Sequence, residues 1–515
     1  MRLFLRYSLL VAICLFSCFV LFSQSVSALQ TRGAEYQKAK DVLENAMAVL
    51  GGKQAIEDVK NITIQYTAAN YGRGQNITPD AVTHVGNWKA YIIVDRQNNN
   101  ILNEVKAHAA GGISFWQRFL KKGNQGFFMD LYGNTQPQQV VPNPAGAIYN
   151  LVRRINTFWL YDILQADTTF KWISTGTFNN RPQNIIEVKE GPQRFTLYFD
   201  DGTKLLSKYE LKGDDPIFGD TKTDLIFHGY KPVGNIMIPA AMEIRSNDQP
   251  VNFFIHMETT VNTQLDSKLF EFPEGYKLVA APPPPTMTEI GKNIFFIHQQ
   301  ITGYNATFVN FTDHILVLDA PIGNPFSKRT MDSINAKFPG KPVTQVVLSH
   351  YHSDHTSGLP LYVAKKAGVI IPDGIQKFVS DVLSVRHSIQ PNPVTDSTRN
   401  PLVTIVKSGD KIVVEDKNIK MEIYNVSGDF SHVKNILMVY FPKEKILWQA
   451  DMLIVDAEPG KLRPGFKSNE EFEQILKKYK LNPGLIIGTH GRVGTMKDLR
   501  ELIEKKKQGP SPFFE

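Results

Sequence analysis

The sequence predicts an α/β C-terminal half, in which strands and helices alternate, preceded by a mainly antiparallel β region. Three observations carry this. The chain has 515 residues, more than the roughly 250–300 that one hydrophobic core sustains, so it should divide into two domains. Before residue 280, short runs alternate apolar and polar residues between Gly, Asn, Asp and Pro, the period of half-buried strands. Beyond residue 285, strand-like runs are followed by amphipathic helical ones, the order of a layered α/β fold. With 42% apolar and 21% charged residues, neither a disordered chain nor a polytopic membrane protein is indicated.

Residues 1–28 read as a signal peptide: MRLFLR supplies two arginines, YSLLVAICLFSCFVLFS is apolar, and SVSA closes with small residues before a cleavage point after Ala28. The apolar run, about 17 residues, sits at the short edge of a membrane span, so an uncleaved anchor is the alternative. Leu15 to Cys18 resembles a lipoprotein signal only weakly, because Phe16 fits it poorly. Both cysteines, Cys14 and Cys18, lie in this segment, so the mature chain would offer neither disulfide nor thiolate ligand. That suits export to a periplasmic or extracellular compartment. Cleavage removes Arg2 and Arg6 and lowers the net charge from +7 to +5, too mild an excess, without long basic runs, to argue for nucleic acid.

The β-rich domain is expected over 29–280. It opens with a helix, because Ala39, Val42, Leu43, Ala46 and Leu50 recur at helical spacing and Gly51-Gly52 stops it. Strands follow at NITIQYTA, NWKAYIIVD, NIIEVKE, RFTLYFD, KLLSKYEL, IPAAMEIR and VNFFIHMET. Residues 281–286, containing Pro282 to Pro285, form a stiff linker. The order of a helix ending in GG, a meander, FDDGTKLLSKYEL and then FEFP resembles the half-barrel of periplasmic lipoprotein carriers. That resemblance implies a sheet able to cradle a lipid or acyl chain; the alternative is a scaffold that packs on the other domain. His84, His108, His228 and His256 have no partner spacing and read as surface or core residues.

In the second domain, 287–510, strands are expected at NIFFIHQQI, ATFVNF, HILVLDA, TQVVLSH, VIIP, KIVVED, KMEIYNV, NILMVYF, KILWQAD and LIIGTH. Helices are expected at PFSKRTMDSINAKF, GLPLYVAKKAG and TMKDLRELIEKKK, and at SNEEFEQILKKYK, where Ser468 and Glu471 form a capping-box pair. His298, His314 and His387 read as structural or surface residues. The stretch SHYHSDHTSG, 349–358, sits in a strand-to-helix loop and holds three histidines and an aspartate within six positions. In an extended loop, residues two apart project alike, so His350 and His352 can meet one cation. Asp354 and His355, at the turn into the helix, can hold a second. Further ligands are available where apolar runs end, at His432, Asp451 and His490.

HYHSDH at 350–355 matches the HxHxDH signature of the metallo-β-lactamase superfamily, with Asp319, His432, Asp451 and His490 in the order its other motifs require. The resemblance covers about residues 287–508 and implies an αββα sandwich. It further implies that His350, His352 and His432 bind one metal, that Asp354, His355 and His490 bind the other, and that Asp451 bridges them. Asp319 would hold a histidine ring from behind, or serve only as a strand-end turn residue. The cofactor implied is two Zn2+ ions, with manganese or iron as substitutes. Two such cations lower the pKa of a shared water so that hydroxide forms near pH 7. Asp354 would also shuttle its proton, and Tyr351, read as exposed between two ligands, would either donate to the oxyanion or pack.

Departures narrow the choice. No mature cysteine is available for the second metal, and Asp451 points away from dedicated β-lactamases toward glyoxalase II, lactonases and related hydrolases. Glyoxalase II carries a C-terminal helical substrate domain and only 25 residues follow His490 here, so its thioester recognition does not simply carry over. The expectation is an exported binuclear zinc hydrolase acting on a carboxylic ester, lactone, thioester or amide of a small-molecule substrate, touching membrane only through the signal segment if that is retained. The alternatives are β-lactamase-like activity, a mononuclear iron dioxygenase of the same fold, or a lipid-binding envelope protein with a non-catalytic metal site.

Overall fold

The computed structural model describes residues 33–108, 113–123, 125–130, 140–142, 153–166, 169–272, 284–299, 303–395, 397–456, 460, 462 and 464–507. The expected signal peptide and residues 281–283 of the proline-rich linker lie outside them. Among the described residues, no helix is long and apolar enough to cross a membrane. The chain forms two compact units, each discontinuous: one takes its described residues from 1–59, 147–212 and 224–242, the other from 60–146, 213–223 and 243–515.

In the first unit the opening helix, 33–49, buries Ala39, Leu43, Ala46 and Met47 along one stripe. It stops because Gly51 adopts φ +118°, and a Cβ there would lie 2.3 Å from the Asn235 carbonyl oxygen. The strands Thr169–Phe178, Arg181–Glu190, Gln193–Asp200 and Leu206–Asp215 follow one another antiparallel. Asn179 and Asn180 turn the first hairpin, both at positive φ, which matches the right-handed twist of the flanking strands. Trp159, from the helix Asn156–Gln165, packs edge-on against Phe195 and Tyr209.

In the second unit, Asn61–Asn70 pairs antiparallel on one side with Gln249–Val261 and on the other with Gly86–Asp95. The meander continues through Asn100–His108, Ser114–Lys122 and Gln125–Asp130. Ile62, Ile64, Tyr66 and Ala68 alternate inward; a register shift at Thr67/Ala68 lets Ala69 be buried as well. The predicted antiparallel N-terminal region is therefore present.

The C-terminal part of this unit contains two sheets. Thr286–Gly291, Ile294–Gln299, Tyr304–Asn310 and Ile315–Leu318 run antiparallel, then Val343–Val347, Gly368–Pro372 and Val403–Val406 add in parallel. The second sheet is Lys411–Glu415, Lys420–Ser427, Asn435–Phe441, Ile446–Gln449 and Leu485–Gly488. Successive residues serve opposite faces. Leu316, Leu318 and Val347 join Ile423, Val439 and Trp448 in a core shared by both sheets. Val317, Val346 and Leu348 face a second core with Phe326, Leu359, Phe472 and Leu499 of the helices. Buried on both faces, these strands read as unbroken apolar runs.

One helix start differs from expectation. The helix is Lys467–Lys478, and Phe466 precedes it with its N–H donating to Asn469 Oδ1 at 2.7 Å. Among the described residues Ser468 Oγ is buried without a hydrogen-bond partner, and Glu471 instead accepts from Ser431 N at 3.1 Å and Ser431 Oγ at 2.9 Å. Glu471 thus anchors the loop that carries His432.

Candidate metal centre

The site lies where strands of both sheets end. The strand Val343–Val347 delivers Ser349 and His350; Asp354 and His355 fall on the short helical turn Ser353–Thr356. His432 stands in the loop before Asn435–Phe441, Asp451 just after Ile446–Gln449, and His490 just after Leu485–Gly488. Gln449 shapes the Asp451 turn, its side-chain oxygen accepting from Met452 N at 2.8 Å and Leu453 N at 3.1 Å.

These ends converge into two ligand sets sharing one carboxylate: His350, His352, His432 and Asp451, and Asp354, His355, Asp451 and His490, with ligand atoms in each set within 4.8 Å of one another. Asp451 Oδ2 is 2.9 Å from His432 Nε2, 3.1 Å from His355 Nε2 and 3.5 Å from His350 Nε2. Its Oδ1 is 3.2 Å from His490 Nε2.

The nitrogen that each of three rings turns away from the centre is held by a partner. His352 Nε2 donates to the Asn76 carbonyl at 2.8 Å, and His350 Nδ1 meets Ser349 Oγ at 2.9 Å. His355 Nδ1 donates to Asp319 Oδ2 at 2.7 Å. Asp319 is 1% exposed and also accepts from Ser349 N at 2.7 Å, Ser349 Oγ at 3.0 Å and Thr489 Oγ1 at 2.6 Å. Its backbone is left-handed, φ 64°, a strained state that this four-bond anchor sustains.

Burial, reinforced by the neighbouring His355 and His352, pushes His350 well below the ordinary imidazole range. Burial and His432 take His352 down to about 3. Both rings are therefore neutral, the state that offers a lone pair. Burial alone would lower His355, but Asp451, Asp354 and Asp319 around it carry it well above its ordinary value. For Asp451 burial works upward and is outweighed by His355 and His490, which hold the carboxyl well below its usual range.

The residues fit a divalent metal pair. Among the described residues His352 Nδ1 is buried with no hydrogen-bond partner, and His432 Nε2 faces His350 Nε2 at 3.3 Å. Ring nitrogens and carboxylate oxygens gathered this closely in a dry site are the donor set that a divalent cation takes. The donors are imidazole and carboxylate throughout.

Residues 302–490 match the family model of the metallo-beta-lactamase superfamily. The C-terminal region is a metallo-β-lactamase superfamily domain. A metallo-beta-lactamase from Pontibacter korlensis is similar at 14% identity and TM-score 0.34, over 44% of this chain and 100% of that one. TMB-1 is similar at 16% and 0.33, over 44% and 98%, and DIM-1 metallo-beta-lactamase at 17% and 0.33, over 44% and 99%. Comparison with curated proteins finds no match. As a member of that superfamily the domain is a metal-dependent hydrolase.

Within this metallo-β-lactamase domain one expected residue sits differently. Tyr351 is 2% exposed rather than open to the site, and its hydroxyl donates to the Asn76 carbonyl. Its single proton is committed to backbone, so it has none for an oxyanion. The phenol that does face the centre is Tyr304, whose hydroxyl donates to Asp354 Oδ2 at 3.0 Å and whose ring lies 4.4 Å from that of His490. Burial, with Asp354 beside it, raises its pKa far above the ordinary phenol value. Sequence reading missed Tyr304, Gln75 and Asn76, since none belongs to a spaced motif. The sequon Asn76-Ile-Thr offers no surface acceptor, because Asn76 is 1% exposed.

Five other histidines have partners outside the two ligand sets. His298 meets Asn305, His84 meets Asn87 and His108 meets Ser114; His314 pairs with Asp313 and His387 with Asp214.

Proposed function

We propose that the chain is an exported binuclear zinc hydrolase acting on a carboxylic ester, lactone, thioester or amide in a small-molecule substrate. The observation that carries this is the pair of ligand sets joined at Asp451, with His352 Nδ1 buried and, among the described residues, without a hydrogen-bond partner. His350, His352 and His432 would hold one ion; Asp354, His355 and His490 the other; Asp451 would touch both. Zinc suits imidazole and carboxylate donors, and manganese or iron are the substitutes. When bound, the ions supply a more acidic water and polarise the substrate carbonyl.

The chain's own groups do the rest. Asp354 turns Oδ2 toward His355 and His490, at 3.5 and 3.7 Å, where it can take a proton from the attacking water and return it to the leaving group. Tyr304 keeps its proton at neutral pH and steadies that same oxygen. Asp319 keeps His355 in the tautomer that presents Nε2. For the N-terminal sheet the acyl-chain cradle belongs to the same reading: organic extraction of protein from its native host should release lipid, and an empty extract removes that part.

Elemental analysis of the purified chain tests the centre. About two zinc, manganese or iron ions per chain are expected from the two ligand sets, together with turnover of at least one member of a panel of chromogenic esters, lactones, thioesters and β-lactams. A preparation without stoichiometric transition metal overturns the reading.

A further inference from the structure

The loop 71–85 joins the strands Asn61–Asn70 and Gly86–Asp95 of the antiparallel N-terminal region, yet four successive residues of it lie against the metal centre. The Gly74 carbonyl accepts from Ser353 N at 2.9 Å. The Gln75 amide donates to Ser353 Oγ at 3.0 Å and Asp354 Oδ1 at 2.6 Å. The Asn76 carbonyl accepts from both His352 Nε2 and the Tyr351 hydroxyl. The Ile77 carbonyl accepts from Lys434 N at 3.2 Å, two residues beyond His432.

The loop is built to hold this position. The Asn76 side chain donates to the carbonyls of Tyr71 and Thr83 and accepts from Ile77 N and Thr83 Oγ1. Arg73 donates to the Ser246 carbonyl at 3.1 Å and lies over the Phe218 ring at 3.8 Å. Gly72 and Gly74 take positive φ, and at Gly74 an added Cβ would already touch Ser353 Cβ at 3.4 Å.

The consequence falls on Asp354. Its carboxylate is 24% exposed and could turn about its last torsion, presenting either oxygen or both to the centre. Gln75 occupies Oδ1, so Oδ2 alone faces Tyr304, His355 and His490. The donor is neutral, which matters: a cationic side chain there would repel a metal ion, and an anionic one would repel Asp354. We infer that Gln75 is a positioning residue of the metal centre, holding Asp354 so that a single oxygen serves the second ligand set; this rests on the metal-centre reading above. The N-terminal region thereby supplies part of the site that the superfamily domain carries.

The test uses the full chain, zinc alone as probe, and chelator competition as readout. Wild type should take up two equivalents. Gln75→Leu should keep its Tm and its affinity for the first equivalent while the second weakens roughly 10–100-fold, with kcat falling in step and KM little changed. Gln75→His, which can still donate, should recover most of the second-site affinity. Two outcomes overturn the inference: Gln75→Leu binding both equivalents as wild type does, or losing both together with its Tm, the behaviour of a mere strut. Wild type that fails to bind two equivalents would instead remove the metal-centre reading itself.

Discussion

Asp319 is one carboxylate serving four donors from three segments, and its loss should be felt both in the fold and in the chemistry. Asn in its place offers one acceptor oxygen and turns an amide N–H toward groups that also donate. Asp319→Asn should therefore cost roughly 1–3 kcal/mol in urea unfolding and lower activity about 10–100-fold through His355. Tyr351→Phe provides the contrasting case. Because the hydroxyl serves the Asn76 carbonyl, kcat should stay within about threefold while Tm falls; a loss of a hundredfold or more, the size expected for an oxyanion donor, would contradict this assignment. The residues that could be read from sequence share a property: HYHSDH is contiguous, so spacing alone shows that its side chains can meet. Gln75 and Tyr304 reach Asp354 across 279 and 50 positions, and no local period reports such a meeting.

At the scale of elements, alternation in strands and 3.6-residue spacing in helices located most segments, because each pattern reports which face is buried. The start of Lys467–Lys478 was misread because Ser468 and Glu471 satisfy the capping pattern while tertiary partners claim them differently. Turns are where side chains tie elements together. Asp416, in the turn between Lys411–Glu415 and Lys420–Ser427, accepts from Thr312 N and Oγ1, both at 2.6 Å, and from the N–H groups of Asn418 and Ile419. Burial opposes these bonds, yet together they bring its pKa down to about 2. A carboxyl whose folded value lies below its unfolded value of roughly 3.9 contributes stability above that pH and loses it as pH falls toward the folded value. The Tm gap between wild type and Asp416→Asn should thus be full above pH 5 and close between about pH 4 and pH 2. A gap that is constant across that range would show the bonds to be independent of the charge.

For the whole molecule, the centre gathers five imidazoles and three carboxylates, Asp319 included, from chain segments between residues 319 and 490, so ions bound there favour the folded chain by mass action. Zinc at about a thousand times its dissociation constant should add roughly 4 kcal/mol, and stripping it with chelator should lower the calorimetric Tm reversibly. An unchanged Tm would mean that the site is stable without its ions. The two compact units are both discontinuous in sequence, and in the antiparallel region strands distant along the chain become neighbours. Gln249–Val261 pairs beside Asn61–Asn70, and nothing in either run names its neighbour.

The sequence by itself determined the type of each region, the C-terminal metallo-β-lactamase superfamily character and seven residues that the fold brings together. Periodicity and motif spacing are local properties that survive without coordinates. Only the tertiary structure decided which side chains stand behind those residues. It turned Tyr351 into a backbone donor, set Tyr304 over Asp354, and brought Gln75 from a loop of the N-terminal region to the same carboxylate. The physical reason is that a hydrogen bond depends on direction and on a few tenths of an ångström, and those are fixed by how distant strands pack, not by the order in which residues are written.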